Sequence, residues 1–165
     1  MKTLYLVRHA KSSWDDISIQ DYERPLIKKG INRTLRVANF LSSKSILPDL
    51  ILSSHAVRAF ETAKILAGKL GYPNHEIQIE SQLYFSGPEA LHNVVYALPD
   101  DKSQVMLVGH NPDMTRFSNV FLYDKIDYLP TTGIVSITFH TSKWEEVMKV
   151  ERDINFVITP KSVVI

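Results

Sequence analysis

The chain has 165 residues, 44% hydrophobic and 22% charged, with a formal net charge of +1 and no cysteine. This describes one globular domain, residues 1–165, with a sizeable core. It excludes disulfides, thiol catalysis and thiolate metal ligands, and its spread-out basic residues give no footprint for nucleic acid. No apolar run approaches the ~20 residues of a membrane span. Met1-Lys2-Thr3-Leu4 enters a strand without the regions of a signal peptide, so cytoplasm is the expected location and a monomer the expected state.

Residues 3–8 read as a buried strand, apolar throughout, as parallel strands covered on both faces tend to be. A polar stretch over 11–27 ends in Arg24-Pro25-Leu26. Residues 28–43 read as a helix with Ile31, Leu35, Ala38 and Leu41 on its apolar face. Pro48 closes that unit, and 49–53 is the second strand. Residues 56–70 form a second helix with Phe60, Ala63, Ala67 and Leu70 in one stripe, stopped by Gly71 and Pro73. A short strand is expected at 77–80. Gly87-Pro88-Glu89 opens a third helix carrying Leu91, Val94, Val95 and Leu98. Residues 104–109 are the clearest central strand. Asn111-Pro112-Asp113 starts a fourth helix running to about 123. Residues 134–140 and 144–151 read as an antiparallel hairpin turning at Thr141-Ser142-Lys143. Alternating strands and helices with a final hairpin predict a three-layer α/β/α sandwich. Its central sheet is mainly parallel with an antiparallel edge, and helices cover both faces.

Three strand ends carry the chemistry. Arg8 and His9 close the first strand, Arg58 follows the second, and His110 follows the central one. Open α/β sheets bind ligands outside the carboxyl ends of their strands. An arginine fork holds two phosphate oxygens at fixed geometry. A neutral imidazole attacks phosphorus if its other nitrogen is held in the right tautomer, and a second imidazole can donate to a phosphoryl oxygen. Each residue also has a plainer reading: a surface ion pair for Arg8, a loop histidine for His9 or His110, a helical pair with Glu61 for Arg58. His55, His75, His92 and His140 show no ligand spacing, so no metal site is expected. Gly-rich phosphate loops are absent from the sequence.

In order along the chain, these segments resemble a known family. Leu6-Val7-Arg8-His9-Ala10 is similar to the Arg-His-Gly signature of the histidine phosphatase superfamily (phosphoglycerate mutase-like), with alanine at the glycine position. Residues 53–63, centred on Arg58, resemble its second arginine motif, and Val108-Gly109-His110-Asn111-Pro112 its second histidine motif. Asp21-x-x-Arg24-Pro25-Leu26-x-x-x-Gly30 and Lys11-Ser12-Ser13-Trp14 resemble the SixA-like phosphohistidine phosphatase branch. The resemblance implies a catalytic set of Arg8, His9, Arg58 and His110, with His9 as nucleophile and the others as phosphate pocket. Ser12 and Arg24 would contact substrate, and no metal or other cofactor is required.

Many superfamily members also carry an acid that protonates an alkoxide leaving group. Glu80 and Glu89 flank the Tyr84-Gly87 loop, but their context matches poorly; a strand-end charge and a helix first-turn acid describe them better. An imidazole leaving group, with a pKa near ~6.5, has little need of such an acid. The expected activity is therefore hydrolysis of a histidine-phosphorylated protein or similar labile phosphate. The alternatives are a small-metabolite phosphomonoesterase of the same superfamily and a phosphate-binding module without turnover.

Overall fold

The computed structural model describes residues 1–163. Six strands form one sheet in the order β3-β2-β4-β1-β5-β6. They are β1 (Lys2–Arg8), β2 (Leu50–Ser53), β3 (Gln78–Ile79), β4 (Gln104–Gly109), β5 (Ile134–Phe139) and β6 (Arg152–Ile158). The first four run parallel; β5 and β6 are antiparallel additions at one edge. The helices are α1 (Lys28–Ser43), α2 (Val57–Leu70), α3 (Pro88–Tyr96) and α4 (Asp113–Phe121).

Side chains alternate across each strand, so one strand feeds two cores. Leu4, Leu6, Leu52 and Leu107 pack with Leu91 and Val95 of α3 and Phe117 and Phe121 of α4. Tyr5, Val7, Ile51, Met106 and Val108 point the other way, onto Val37 and Leu41 of α1 and Ala63 and Leu66 of α2. The chain steps outward from β1 through β2 to β3, then returns to β4 and on to β5. With right-handed crossovers, that reversal puts α1 and α2 on one face and α3 and α4 on the other. The three-layer expectation holds, and its reason is visible in the apolar runs of β1 and β4, which are buried on both sides.

Three local expectations need correction. Leu35 is 45% exposed, and the buried face of α1 is Gly30, Thr34, Val37, Ala38 and Leu41. The segment 144–151 is not a strand: Trp144–Glu146 is a 3₁₀ turn, and the partner of β5 is β6, later in the chain. Trp144 is fully buried, and its indole N–H donates to the Lys102 carbonyl at 2.8 Å. Its apolar character seals the end of one core rather than extending a hairpin. At α4, Pro112 itself occupies the cap position, and the Asn111 side chain accepts from the Thr115 N–H at 3.2 Å.

Candidate active site

Strand register brings the three strand ends together. Arg8 lies opposite Gly109, and Ser53 opposite Val108. The His9 N–H donates to the Gly109 carbonyl at 3.0 Å, and the Ser54 N–H to the Val108 carbonyl at 3.1 Å. The strand ladder thus extends one residue past β1 and β2. His9, Ser54 and His110 are fixed by backbone rather than held on free loops. Beside them opens a cleft of about 490 Å³ lined by the cations Arg8, Lys11, Arg24, Arg33 and Arg58, with Asp21 its one carboxylate.

His9 is almost fully buried. Its Nδ1 lies 2.7 Å from the Ala10 carbonyl, which can only accept, so Nδ1 carries the proton and Nε2 keeps its lone pair. Arg58 Nε–H is directed at that lone pair, 3.4 Å away. Burial pushes the His9 pKa down to about 3; the Ala10 hydrogen bond opposes this, and the charges of Arg58, Arg8 and Arg24 add to it. The ring is neutral at any physiological pH.

Arg58 sits in the first turn of α2, fully buried. Its partner is not Glu61 but Asp21, 37 residues away. Nη1 donates to the Asp21 carbonyl at 2.8 Å and Nη2 to its carboxylate at 2.9 Å. The Tyr84 hydroxyl donates to the same carboxylate oxygen at 2.5 Å. Burial alone would raise the Asp21 pKa. The Tyr84 and Arg58 hydrogen bonds and the Arg58 and Arg24 charges outweigh it and hold the group at about 2. Asp21 is thus an anion that orients Arg58. Its place in the Asp-x-x-Arg segment was the only sequence signal for it.

Ser12 and Arg24 both line the cleft. Arg24 Nη1 donates to Ser12 Oγ at 3.0 Å, its Nε to Asp21 at 3.1 Å, and its guanidinium lies 3.5 Å over the Trp14 ring. His110 packs against His9 with ring centroids 5.0 Å apart, and its Nε2 is 2.7 Å from Ser54 Oγ. Unlike the other predicted site residues, His110 does not line the open cleft: Phe85 stacks on it at 4.8 Å and takes that wall. Among the described residues, His110 Nδ1 and Arg8 Nε are buried without a hydrogen-bond partner. Such atoms are costly unless something pairs with them.

The plainer readings hold elsewhere. Glu80 caps a 3₁₀ turn through the Gln82 N–H, Glu89 lies in the first turn of α3, and neither lines the cleft. His140 is 2.8 Å from Asp153, and His92 packs on Phe117. Among the described residues no three His, Asp or Glu side chains converge to hold a metal ion.

The two buried imidazoles set a pH dependence. Burial, reinforced by His9 and Arg58, pushes the His110 pKa down to about 2. Below 6.5 the unfolded chain protonates both histidines while the fold keeps them neutral, so their contribution is intact above pH 6.5 and is lost as pH falls towards about 3. Each buried histidine gives a slope of up to about 1.4 kcal/mol per pH unit. Denaturant unfolding between pH 6.5 and 5 should therefore show a loss of roughly 2 kcal/mol per unit, and His110→Asn should remove about half of it. Half that slope in the parent chain would mean that one ring enters the fold protonated, and a flat profile that both do.

A family model, the histidine phosphatase superfamily (branch 1), matches residues 4–84, which hold Arg8, His9 and Arg58. An uncharacterized chloroplastic protein of Arabidopsis thaliana is 35% identical over 88% of this chain and 70% of its own length. The chain belongs to the histidine phosphatase superfamily. Two solved structures share its fold closely. A candidate phosphohistidine phosphatase SixA from Agrobacterium tumefaciens has 24% identity and a TM-score of 0.81, covering 96% of this chain and 98% of that one. The protein histidine phosphatase SixA complexed with tungstate has 19% identity and a TM-score of 0.83, covering 98% and 99%. A mycobacterial glucosyl-3-phosphoglycerate phosphatase matches at a TM-score of 0.66 and 14% identity, over 93% of this chain and 98% of its own. No helix among the described residues is long and apolar enough to cross a membrane.

Proposed function

We propose that the chain is a metal-independent phosphatase that uses His9 as nucleophile and takes a phosphorylated histidine on a protein as its preferred substrate. The observation that carries this is the state of His9: neutral, tautomer fixed through Ala10, with Nε2 facing Arg58 in a cleft lined by cations. When a phosphoryl group enters, Arg58 Nε transfers its donation from that lone pair to a phosphoryl oxygen, freeing Nε2 to attack. A bond forms from Nε2 to phosphorus as the bond to the substrate's leaving nitrogen breaks, and the leaving imidazole takes its proton from solvent. Water then attacks the phosphoenzyme, releasing phosphate and restoring His9. Arg8 and Arg58 supply positive charge and donors to the phosphoryl oxygens, and His110 adds a ring donor when Phe85 moves off the wall it covers. Ser12 and Arg24 hold the substrate at the mouth.

The leaving group follows from what the cleft lacks. Asp21, its one carboxylate, is held anionic and has no proton to give. An alkoxide needs one from the enzyme; an imidazole can take its proton from solvent. The likeness to structures described as SixA phosphatases, one with the tetrahedral oxyanion tungstate, supports the same reading. The test is a panel in EDTA comparing a phosphohistidine protein, phosphotyrosine, phosphoserine and sugar phosphates. A phosphohistidine kcat/KM at least about 100-fold above the esters is expected; equal rates would favour the small-metabolite alternative. Arg58→Lys keeps the charge but loses the fork held by Asp21, and should lower kcat/KM about 100-fold on the best substrate.

A further inference from the structure

Arg33 stands where three surface depressions meet. It lines the catalytic cleft, and it also lines a shallow depression formed with Lys28, Lys29, Asn32 and Arg36 on the outer side of α1. A basic track therefore meets the cleft at Arg33 and reaches about 8 Å along the helix to Lys28 on one side and about 5 Å to Arg36 on the other. Helix α1 holds four basic residues and no acidic one, in a chain whose net charge is only +1. The ion pairs among the described residues involve Arg24, Arg58 and His140, so none of these four pairs with a carboxylate of the described residues.

The placement of this charge works against the fold. Lys28 and Lys29 occupy the first turn of α1, where the helix dipole favours anions, and that turn has neither an acidic residue nor a side-chain cap. Stability alone would put Asp or Glu there. Trp14, which lines the cleft, is 75% exposed, and Ile17, three residues on, is 97% exposed. Exposed tryptophan and arginine are residues that protein interfaces enrich.

We infer that the outer face of α1 is a docking track for an acidic segment of the phosphorylated partner protein, placed beside the residue whose phosphate enters the cleft. This deepens the proposed function and rests on it for the identity of the phosphorylated residue. Charge complementarity of this kind acts chiefly on encounter and on KM, and weakens with salt.

The test uses the full chain and the triple variant Lys28→Gln, Lys29→Gln, Arg36→Gln, which leaves Arg33 and the cleft untouched. Glutamine has a helix propensity close to that of lysine and arginine, so α1 is retained. Two phosphohistidine peptides of equal length are compared, one flanked by glutamates and one by serines. The parent should prefer the acidic peptide about tenfold in kcat/KM at low salt, through KM, and lose the preference at about 300 mM salt. The triple variant should show no preference and process the serine peptide within about twofold of the parent. Equal rates in the parent, or a preference that survives the substitutions, overturns the track.

A second arm measures anisotropy of fluorescein-labelled decaglutamate and needs no turnover. Its Kd should rise at least about fivefold in the triple variant. If neither peptide is hydrolysed but decaglutamate binding depends on the three residues, the proposed substrate fails and the track stands. If tripolyphosphate binding depends on them and decaglutamate binding does not, the face serves a small polyanion, and the partner-protein inference is wrong.

Discussion

Replacing His9 by alanine is expected to abolish turnover, by at least about 10⁴-fold in kcat, while the protein folds and still binds phosphate. The geometry separates the two effects. Among the described residues, the only hydrogen bond of the His9 side chain other than the contact with Arg58 is to the carbonyl of the next residue. Its removal leaves Arg8, Arg24 and Arg58 anchored as before, through the Leu129 carbonyl and Asp21. The parent should be trapped by rapid quench as a phosphoenzyme whose label is stable in base and lost in acid, as expected for phosphorus bonded to imidazole nitrogen. The variant should give none. It should also be less sensitive to acid, because one of the two rings that resist protonation in the fold is gone. A His9→Ala protein that keeps EDTA-resistant activity above about a tenth of the parent would place the nucleophile elsewhere.

What the sequence made legible was whatever depends on local pattern plus strand position. The bounds of α1 and β4 were read to the residue, because an amphipathic helix and a two-sided buried strand each leave an unambiguous period. The convergence of Arg8, His9, Arg58 and His110 followed from their places after strands, since register in a parallel sheet brings strand ends to one rim. What stayed hidden depends on long-range packing. Glu61 is three residues from Arg58 and fits helical spacing, yet Asp21 is the partner, delivered by a loop whose path no periodicity records. Trp144 and Val147 carry strand-like apolarity but close the core from a turn. Phe85, between His110 and the cleft, sits in the left-handed region at φ 52°. That conformation is set by tertiary context against the preference of a bulky residue.

The loop that carries Ser12 and Trp14 rests on a single glycine, and Gly30→Ala should show how firmly. In an ordinary helix this exchange stabilises by about 0.5–1 kcal/mol. Gly68, in α2, meets that description: a Cβ there finds nothing within 4 Å, so Gly68→Ala should gain about that amount. At Gly30 the same methyl would lie 2.3 Å from the Lys11 carbonyl oxygen and 3.0 Å from the Lys11 nitrogen. Both are backbone atoms, so no rotamer change relieves the contact.

The Lys11 segment cannot retreat freely either. Its carbonyl accepts from the Ile27 N–H at 3.1 Å, the Ser13 N–H donates to the Pro25 carbonyl at 2.8 Å, and Ser12 bridges Leu26. Relieving the clash breaks these links and displaces Ser12, and with it the Arg24 contact at the cleft. The expected cost is about 3 kcal/mol or more by denaturant unfolding, with KM raised in the same variant. Helix propensity favours both substitutions, so opposite signs at positions 30 and 68 would isolate the steric contact. A Gly30→Ala protein as stable as Gly68→Ala would show that the loop yields and that the glycine does not fix its position.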